Sequence, residues 1–162
     1  MANDKITMRI AVVDDAALVL QFIRELADYE HLSDTVFITE STVREWISSR
    51  QIEVLIAEYE GKPAGFALYY FTYSTFRGQM GIYLEDLFVR PEFRRYGIGT
   101  QFFHEFVRIA KSRGYFRLDW MVLNWNANSI AFYEKLGGCR IPDWITYRLQ
   151  GDALDALAEK TD

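Results

Sequence analysis

The stretch LEDLFVRPEFRRYGIG, residues 84–99, decides the fold. Its first half is an apolar run typical of a buried strand, and it contains two adjacent carboxylates, Glu85 and Asp86. Its second half contains two arginines and two glycines. The apolar residues that follow have the spacing typical of a helix, which is predicted to end at Gly114. Unpaired amides at the start of such a helix, together with the helix dipole, bind phosphate groups. The stretch therefore predicts a phosphate-binding loop beside two acids, although a lone Gly-x-Gly is also typical of a plain tight turn.

Strand patterns elsewhere in the chain outnumber those of a purely alternating βαβ protein. They predict strands at residues 6–13, 52–59, 66–73, up to 89, 116–123 and 140–149. We therefore expect a mixed α/β fold with a central mixed, largely antiparallel sheet and helices on both faces.

Two helices are predicted before the main sheet. The first carries an apolar stripe that ends at Tyr29, and the second covers residues 39–49. Ser41 or Thr42 forms a capping box with Glu45 at the start of the second helix.

Composition limits the classes of function. With 162 residues, of which 50% are hydrophobic, the chain can form one well-packed unit, and we expect a single domain over residues 1–162. The formal net charge of −5 repels phosphate backbones and attracts cations. Nucleic acid is therefore not expected as a partner, whereas a cationic amine is.

The single cysteine, Cys139, and two histidines are too few for an internal disulfide or a structural zinc site. We expect a reducing, cytoplasmic setting, no bound metal, and Cys139 as a small buried residue. The opening residues MANDKITMRI lack the pattern of a signal peptide, and no apolar run reaches the roughly 18 residues that span a bilayer. We therefore expect a soluble protein with no membrane partner.

Arg94, Gly97 and Gly99 carry a family resemblance. They fit the pattern Arg/Gln-x-x-Gly-x-Gly/Ala of the GNAT N-acetyltransferase superfamily, whereas the lysine of a P-loop and the third glycine of a dinucleotide fold are absent. The chain most resembles the diamine (spermidine/spermine) acetyltransferases in five stretches: IRELADYE (23–30), GFALYYFTY (65–73), YLEDLFV (83–89), RRYGIGT (94–100) and WNANSIAFYEKLG (125–137). The resemblance implies a GNAT-like fold with splayed parallel strands, acetyl-CoA as cosubstrate and acetyl transfer to an amine.

The resemblance also implies which residues bind acetyl-CoA. The backbone of Leu87, Phe88 and Val89 is expected to bond the pantetheine arm like an added strand, where the strands through Glu85 and Trp120 splay apart. The pyrophosphate loop is expected to consist of Arg94, Arg95, Tyr96, Gly97, Ile98, Gly99 and Thr100. The other cofactor contacts are expected from Asp119, Trp120, Met121, Asn126, Ala127, Asn128 and Ser129.

Amine acetylation requires a base. An amine with a reference pKa near 10.4 costs roughly 4 to 5 kcal/mol to deprotonate at pH 7. Because neighbours in a strand face opposite ways, we expect only one of the two acids on the face of Leu87. The resemblance assigns the base, acting directly or through water, to Glu85, and the lining of the substrate path to Asp86. Alternatively, either acid caps a backbone group or pairs with Arg94 or Arg117.

Tyr133 is the general acid that the resemblance implies, because a phenol aimed at the sulfur can protonate the leaving thiolate. It follows Asn126 by seven residues, about 10 Å along one face of a helix. Asn126 or Asn128 caps this helix, which stops at Gly137. Without the resemblance, core packing with Phe132 is the alternative for Tyr133.

An acidic groove is expected to bind the substrate through Tyr29, Glu30, Glu85 and Asp86. The chain departs from the diamine acetyltransferases at Asp28, where they typically carry lysine, and at RIPDWITYRLQ, which replaces an acidic segment. We expect a polyamine or diamine as acceptor, while an amino acid, a peptide or an aminoglycoside amine stays open. A non-catalytic acetyl-CoA sensor is the alternative from another class. The resemblance also implies a homodimer.

Overall fold

The computed structural model describes residues 5–159. These residues form two compact units that divide between Leu123 and Asn124. Across residues 5–159, no helix combines the length and the apolar character that crossing a bilayer requires.

The first unit is built on a sheet that has five strands in the described residues. They are β1 (Ile6–Ile10), β2 (Glu53–Tyr59), β3 (Lys62–Ser74), β4 (Gln79–Val89) and β5 (Leu118–Trp120). The strands lie side by side in chain order, and all neighbours are antiparallel except β4 and β5, which are parallel. The predicted mixed, largely antiparallel sheet is therefore confirmed. β1 and β5 are shorter than predicted, because their ladders end at Ile10 and Trp120.

Helices cover both faces of the sheet, as predicted. The described part of the first unit contains α1 (Ala16–Tyr29), α2 (Glu40–Ser48) and α3 (Ile98–Arg113). On one face, the rings of Phe22 in α1 and Phe66 in β3 stack with 5.3 Å between centroids. On the other face, Tyr69 of β3 meets Phe106 of α3 edge-on at 5.2 Å. Because side chains alternate along β3, this strand contributes to an apolar layer on each face of the sheet.

The helix ends show which local signals are sufficient. α3 begins after Gly97 and ends at Gly114, with φ values of 90° and 70°, so the predicted glycine stop is confirmed. The predicted cap of α2 is wrong. Thr39 caps this helix, and its hydroxyl accepts the amide of Thr42. The reason is that Thr39 has the extended backbone of an N-cap, whereas Ser41 and Thr42 already lie inside the helix.

The second unit contains α4 (Ala127–Lys135) and α5 (Asp152–Ala158) in its described residues. The prediction of a strand at residues 140–149 is wrong, because this segment forms no ladder of backbone hydrogen bonds with another strand within residues 5–159. Alternation within one segment does not supply the partner amides that a strand needs. Large apolar side chains of this segment are exposed instead: Ile141, Trp144, Ile145, Tyr147 and Leu149. Cys139 is also exposed, so its predicted burial is wrong; it lies outside regular structure after α4 ends.

Candidate active site

A β-bulge in β4 sets the geometry of the two adjacent acids. Leu68 lies opposite Asp86 and Tyr69 lies opposite Leu84, so Glu85 is an extra residue without a partner on β3. Asp86 shares the face of Leu68, and Glu85 bonds a tyrosine two residues further along β3, on that same face. The predicted opposite orientation of the two acids is therefore wrong, because the extra residue resets the alternation.

Tyr70 is the tyrosine that holds Glu85. Its hydroxyl donates to Glu85 Oε2 at 3.3 Å, and its ring stacks on Tyr83 with 5.1 Å between centroids. Burial, with help from the Glu85 carboxylate, raises the pKa of Tyr70 to about 12, so the phenol keeps its proton. The sequence prediction missed Tyr70. Tyr70 lies two residues after Leu68 on β3, so the signal lay in the pairing of β3 with β4, which brings this face of the strand opposite the two acids.

Asp86 is the more enclosed of the two acids. It is partly buried, and its neighbours on this face, Leu68 and Phe88, are apolar and buried. Burial raises the pKa of Asp86 to about 7, and the carboxylates of Glu85 and Glu30 add to the shift. Glu30 follows the last turn of α1, and burial raises its pKa as well. We call Glu30, Glu85 and Asp86 the acidic cluster.

Tyr29, the remaining predicted substrate residue, contacts Arg94. The guanidinium of Arg94 lies 4.7 Å from the centroid of the Tyr29 ring and 5.8 Å from that of Phe88. Its Nε donates to the carbonyl of Val89 at 2.9 Å. Arg94 therefore contacts two rings and a backbone oxygen. It does not form the alternative ion pair with Glu85 or Asp86.

The loop before α3 has a backbone suited to a phosphate. Arg95 and Gly97 have positive φ values of 67° and 90°, a conformation that directs successive amides into an anion-binding concavity. A Cβ at Gly97 would meet no atom within 4 Å, so the space beside it is open. Gly99 and Thr100 lie in the first turn of α3, where amides have no partner within the helix. The loop therefore fits a pyrophosphate.

Two side chains of this loop serve the fold. Ile98 is 1% exposed, which leaves only its backbone for a ligand. The Tyr96 ring stacks on Tyr59 with 4.7 Å between centroids. Arg95 is exposed and carries no such contact in the described residues, so it is the side chain of the loop with freedom to approach an anion.

β4 has an open edge beside the bulge. Its parallel ladder with β5 ends at Leu84 and Trp120, while β4 continues to Val89. Within residues 5–123, no other strand takes up this edge. Backbone groups of the segment from Leu87 to Val89 that face this side are therefore suited to an added strand, as an extended pantetheine arm requires, although the Val89 carbonyl already accepts Arg94 Nε and the Phe88 carbonyl faces Gly65 of β3. The strands through Glu85 and Trp120, which were predicted to form the parallel pair, are β4 and β5, and they are parallel in the sheet.

The residues at and after β5 have three different environments. Asp119 forms an ion pair with Arg117, with 2.7 Å between Oδ2 and Nε, so Arg117 does not serve the acidic cluster. The Trp120 ring packs edge-on against Phe103 at 5.3 Å. Met121 is 62% exposed. Of the three predicted cofactor contacts here, Met121 has the freest side chain.

Within the second unit, Asn126 caps α4. Its Oδ1 accepts the amide of Ser129 at 3.2 Å, and the residue is 6% exposed, which confirms Asn126 rather than Asn128 as the cap. This bond occupies the side-chain oxygen, so amides of the first turn are the groups that α4 offers to a ligand. Tyr133 lies on the same helix, and its ring is 5.4 Å from that of Phe132.

Similarity to known proteins agrees with this arrangement. Residues 20–138 match the acetyltransferase (GNAT) family. The chain belongs to this family. The thialysine N-epsilon-acetyltransferases of Caenorhabditis elegans and Bos taurus are 34% and 36% identical to it, over 91% and 96% of this chain and 93% and 98% of theirs. An integron cassette protein from the mobile metagenome of V. cholerae superposes with a TM-score of 0.80 at 25% identity, covering 96% of this chain and 98% of that one.

As a GNAT acetyltransferase, the protein transfers an acetyl group to an amine. The acidic cluster of this acetyltransferase does not have the geometry of a metal site, and neither does any other group of His, Cys, Asp or Glu within residues 5–159. Three unneutralised carboxylates are suited to an organic cation, because an ammonium replaces the missing positive partner.

An open cavity of about 550 Å³ lies between the second half of α1 and the segment after β4. Tyr29, Phe88 and Arg94 line it, together with the bonded pair Glu25 and Arg90. Glu85 and Asp86 are not among the lining residues. The cavity therefore shares Tyr29 with the candidate acceptor site but does not contain its acids.

Proposed function

We propose that this acetyltransferase transfers acetyl from acetyl-CoA to a primary amine of a small cationic molecule, by direct attack in a ternary complex. The observation that carries the proposal is the bulge, which sets Glu85 and Asp86 on one face, where the carboxylates of Glu85 and Glu30 both act on Asp86. Such a cluster repels itself and gains from a bound ammonium group.

The acetyl-CoA site that we propose uses mainly backbone. Leu87, Phe88 and Val89 bond the pantetheine arm along the open edge of β4, and the amides of the loop from Arg95 to Thr100 bind the pyrophosphate. In this proposal, two further segments contact acetyl-CoA. The first consists of Asp119, Trp120 and Met121, and the second consists of Asn126, Ala127, Asn128 and Ser129.

The proposed chemistry needs one acceptor and one donor of protons. Acetyl-CoA supplies a thioester that is activated for acyl transfer. Glu85, exposed on the bulge and held by Tyr70, receives the proton of the ammonium directly or through water. The amine nitrogen then bonds the acetyl carbon as the C–S bond breaks, the phenol of Tyr133 protonates the leaving thiolate, and the second proton of the nitrogen restores the phenol.

Two acceptors follow from two different observations. The acidic cluster and the net charge of −5 favour a polyamine or diamine. The names of the two relatives favour a thialysine-like amino acid, whose side chain also ends in a primary amine. In both cases the reacting group is a terminal ammonium, and the acidic cluster is the site proposed to receive it.

Thiol release from acetyl-CoA tests the proposal. Putrescine, spermidine, thialysine, lysine, an aminoglycoside and a peptide N-terminus are offered separately, with ethanolamine as a small amine of single charge. We expect release to be fastest with a polyamine, a diamine or thialysine. Acetyl-CoA binding without amine-dependent release would favour the non-catalytic sensor, and release with peptides alone would overturn the small-cation assignment.

We also propose a homodimer in the cytoplasm. The support for a dimer is the run of exposed apolar side chains within residues 140–149, since an apolar surface of this kind is usually covered by a partner. Light scattering at micromolar concentration checks this, and a mass near the 19.0 kDa of one chain would contradict it. The cytoplasmic setting rests on the single cysteine.

A further inference from the structure

The two acids of the bulge differ in their surroundings. Glu85 is exposed and accepts the hydroxyl of Tyr70 at 3.3 Å. Asp86 is partly buried beside the apolar side chains of Leu68 and Phe88. In the described residues, no side chain donates a hydrogen bond to Asp86 and no cation lies within ion-pair distance of it. An enclosed carboxylate without a donor or a cation is costly for a fold, so its environment calls for another explanation.

Among residues 5–159, the charges that shift the pKa of Asp86 are both negative. Glu30 approaches from the end of α1, and Glu85 precedes Asp86 on β4. The titratable side chain that β3 contributes to this face is Tyr70, which keeps its proton.

The arginines that follow β4 are engaged elsewhere. Arg90 binds Glu25 through two hydrogen bonds of 2.8 Å. Arg94 lies over the Tyr29 ring and binds a backbone carbonyl. Burial and the two acidic neighbours together raise the pKa of Asp86 to about 7. A carboxylate in this range exchanges its proton near neutral pH, which is the condition under which a base works best.

We infer that the proton removed from the acceptor's ammonium comes to rest on Asp86, so that the two carboxylates of the bulge act in series, with Glu85 contacting the amine and Asp86 holding the proton. This inference rests on the proposed function and adds a second proton acceptor to it. The bulge is what makes the series arrangement feasible, because without the extra residue the two acids would lie on opposite faces of the sheet.

The protons balance over one turnover. The ammonium R–NH₃⁺ loses its first proton through Glu85 to the Asp86 carboxylate, which gives R–NH₂ and a neutral Asp86. The amine forms the C–N bond, loses its second proton and becomes the amide, while the C–S bond breaks. The thiolate takes up one proton from Tyr133, which is restored by the second proton of the nitrogen. Asp86 releases its proton to solvent before the next turnover, so one proton in all is released.

Titration of the free protein gives a first test that does not depend on activity. The carboxyl carbon of Asp86 is followed by NMR in ¹³C-labelled protein, and its signal is assigned by its loss in Asp86→Asn. We expect a midpoint near 7 in the wild type, a lower midpoint in Glu30→Gln and in Glu85→Gln, and no change in Glu92→Gln, which removes an exposed acid shortly after β4. A wild-type midpoint near the ordinary value of 3.8 would overturn the inference.

The pH profile of kcat/KM gives the second test, because it reports groups of the free enzyme. We expect an acidic limb near pH 7 in the wild type, a shift of this limb to lower pH in Glu30→Gln, and an unchanged limb in Glu92→Gln. Asp86→Asn should remove the limb and lower kcat/KM at pH 7 at least tenfold, with its fold checked by circular dichroism.

The two proposals fail in distinguishable ways. If the wild type acetylates an amine but Asp86→Asn keeps the same acidic limb, the role of Asp86 is overturned while the proposed function stands. If no amine in the panel supports thiol release by the wild type, the proposed function fails first and the role of Asp86 fails with it, whatever its NMR midpoint.

Discussion

Glu25 and Glu30 lie on the same side of the sheet, little more than one turn apart along α1 and its end, and have opposite electrostatic surroundings. Arg90 holds Glu25 with Nε and Nη2, each at 2.8 Å, and these bonds lower the pKa of Glu25. Burial without a cation raises the pKa of Glu30. One carboxylate is therefore paired within the fold, and the other has no cationic partner in the described residues.

Arg90 shows what the paired carboxylate accomplishes. Its Nη1 donates to the carbonyl of Pro63 at 2.8 Å, and its guanidinium lies 4.7 Å from the ring centroid of Phe22. The Glu25–Arg90 pair thus joins α1 to β3 and to the end of β4. A junction of this kind stabilises the packing of α1 against the sheet without contacting the acidic cluster.

The largest effect is expected at the bulge. Glu85→Gln should lower kcat/KM about 100-fold near pH 7, because general-base catalysis contributes on the order of 10² to 10⁴. The defect should shrink at high pH, where free amine is abundant. Glu25→Gln is the matched control, since it also removes one charge on this side of the sheet, and we expect its kcat/KM to stay within about threefold of the wild type. A defect in Glu85→Gln that is equal at all pH values would make Glu85 a positioning residue.

The second effect concerns the paired carboxylate and is a loss of stability. Glu25→Gln should lower the free energy of unfolding by about 2 kcal/mol at pH 7, because it leaves Arg90 partly buried without its anion. The folded pKa of Glu25 lies below its ordinary value of 4.5, so this stabilisation is present above that pH and is lost as the pH falls through the folded pKa. Urea unfolding at neutral and at acid pH measures both. A variant as stable as the wild type at pH 7 would show that the pair does not join α1 to the sheet.

The third effect concerns two glycines, one in a plain turn and one in the loop proposed to bind the pyrophosphate. Gly97 and Gly61 both have positive φ, 90° and 77°, and a Cβ at either meets no atom within 4 Å. Valine at either position should therefore destabilise the fold by a similar amount. Only Gly97→Val should weaken acetyl-CoA binding, at least tenfold or about 1.4 kcal/mol, by filling the space of the pyrophosphate. Equal affinities of the two folded variants in calorimetry would show that Gly97 serves only as a turn.

Local sequence was sufficient where a single segment determines the outcome. The apolar spacing of α3 and the stop at Gly114 were predictable, because both depend on neighbours within a few residues. The Glu25–Arg90 pair joins residues 65 positions apart and leaves no local signal. The bulge likewise depends on how Leu68 of β3 registers against Asp86, which neither strand specifies alone.

The candidate site was predicted unevenly for the same reason. Family motifs named Glu85 and Asp86, but the alternation rule separated them onto opposite faces, and Tyr70 was not named at all. Residues 140–149 show the reverse error, since a strand pattern was present without a partner strand in the described residues. Residue types were thus easier to predict than the pairing that orients them.

The smallest effect we expect is a gain of stability from removing one carboxylate of the acidic cluster. The folded pKa of Asp86, about 7, lies above its ordinary value of 3.8, so the folded state holds a proton that the unfolded state has lost between these values. The contribution of Asp86 to stability is therefore fully present below pH 3.8, falls as the pH rises from there to about 7, and is lost above that pH. Asp86→Asn should be more stable than the wild type by about 1 kcal/mol at pH 8, after allowance for solvent screening, and nearly equal to it at about pH 4. Urea unfolding of both proteins at the two pH values measures this difference. Glu25→Gln serves as the comparison, because we expect it to be less stable than the wild type. If Asp86→Asn is less stable than the wild type at pH 8, the carboxylate has a structural partner, and the contrast between a paired Glu25 and an unpaired acidic cluster fails.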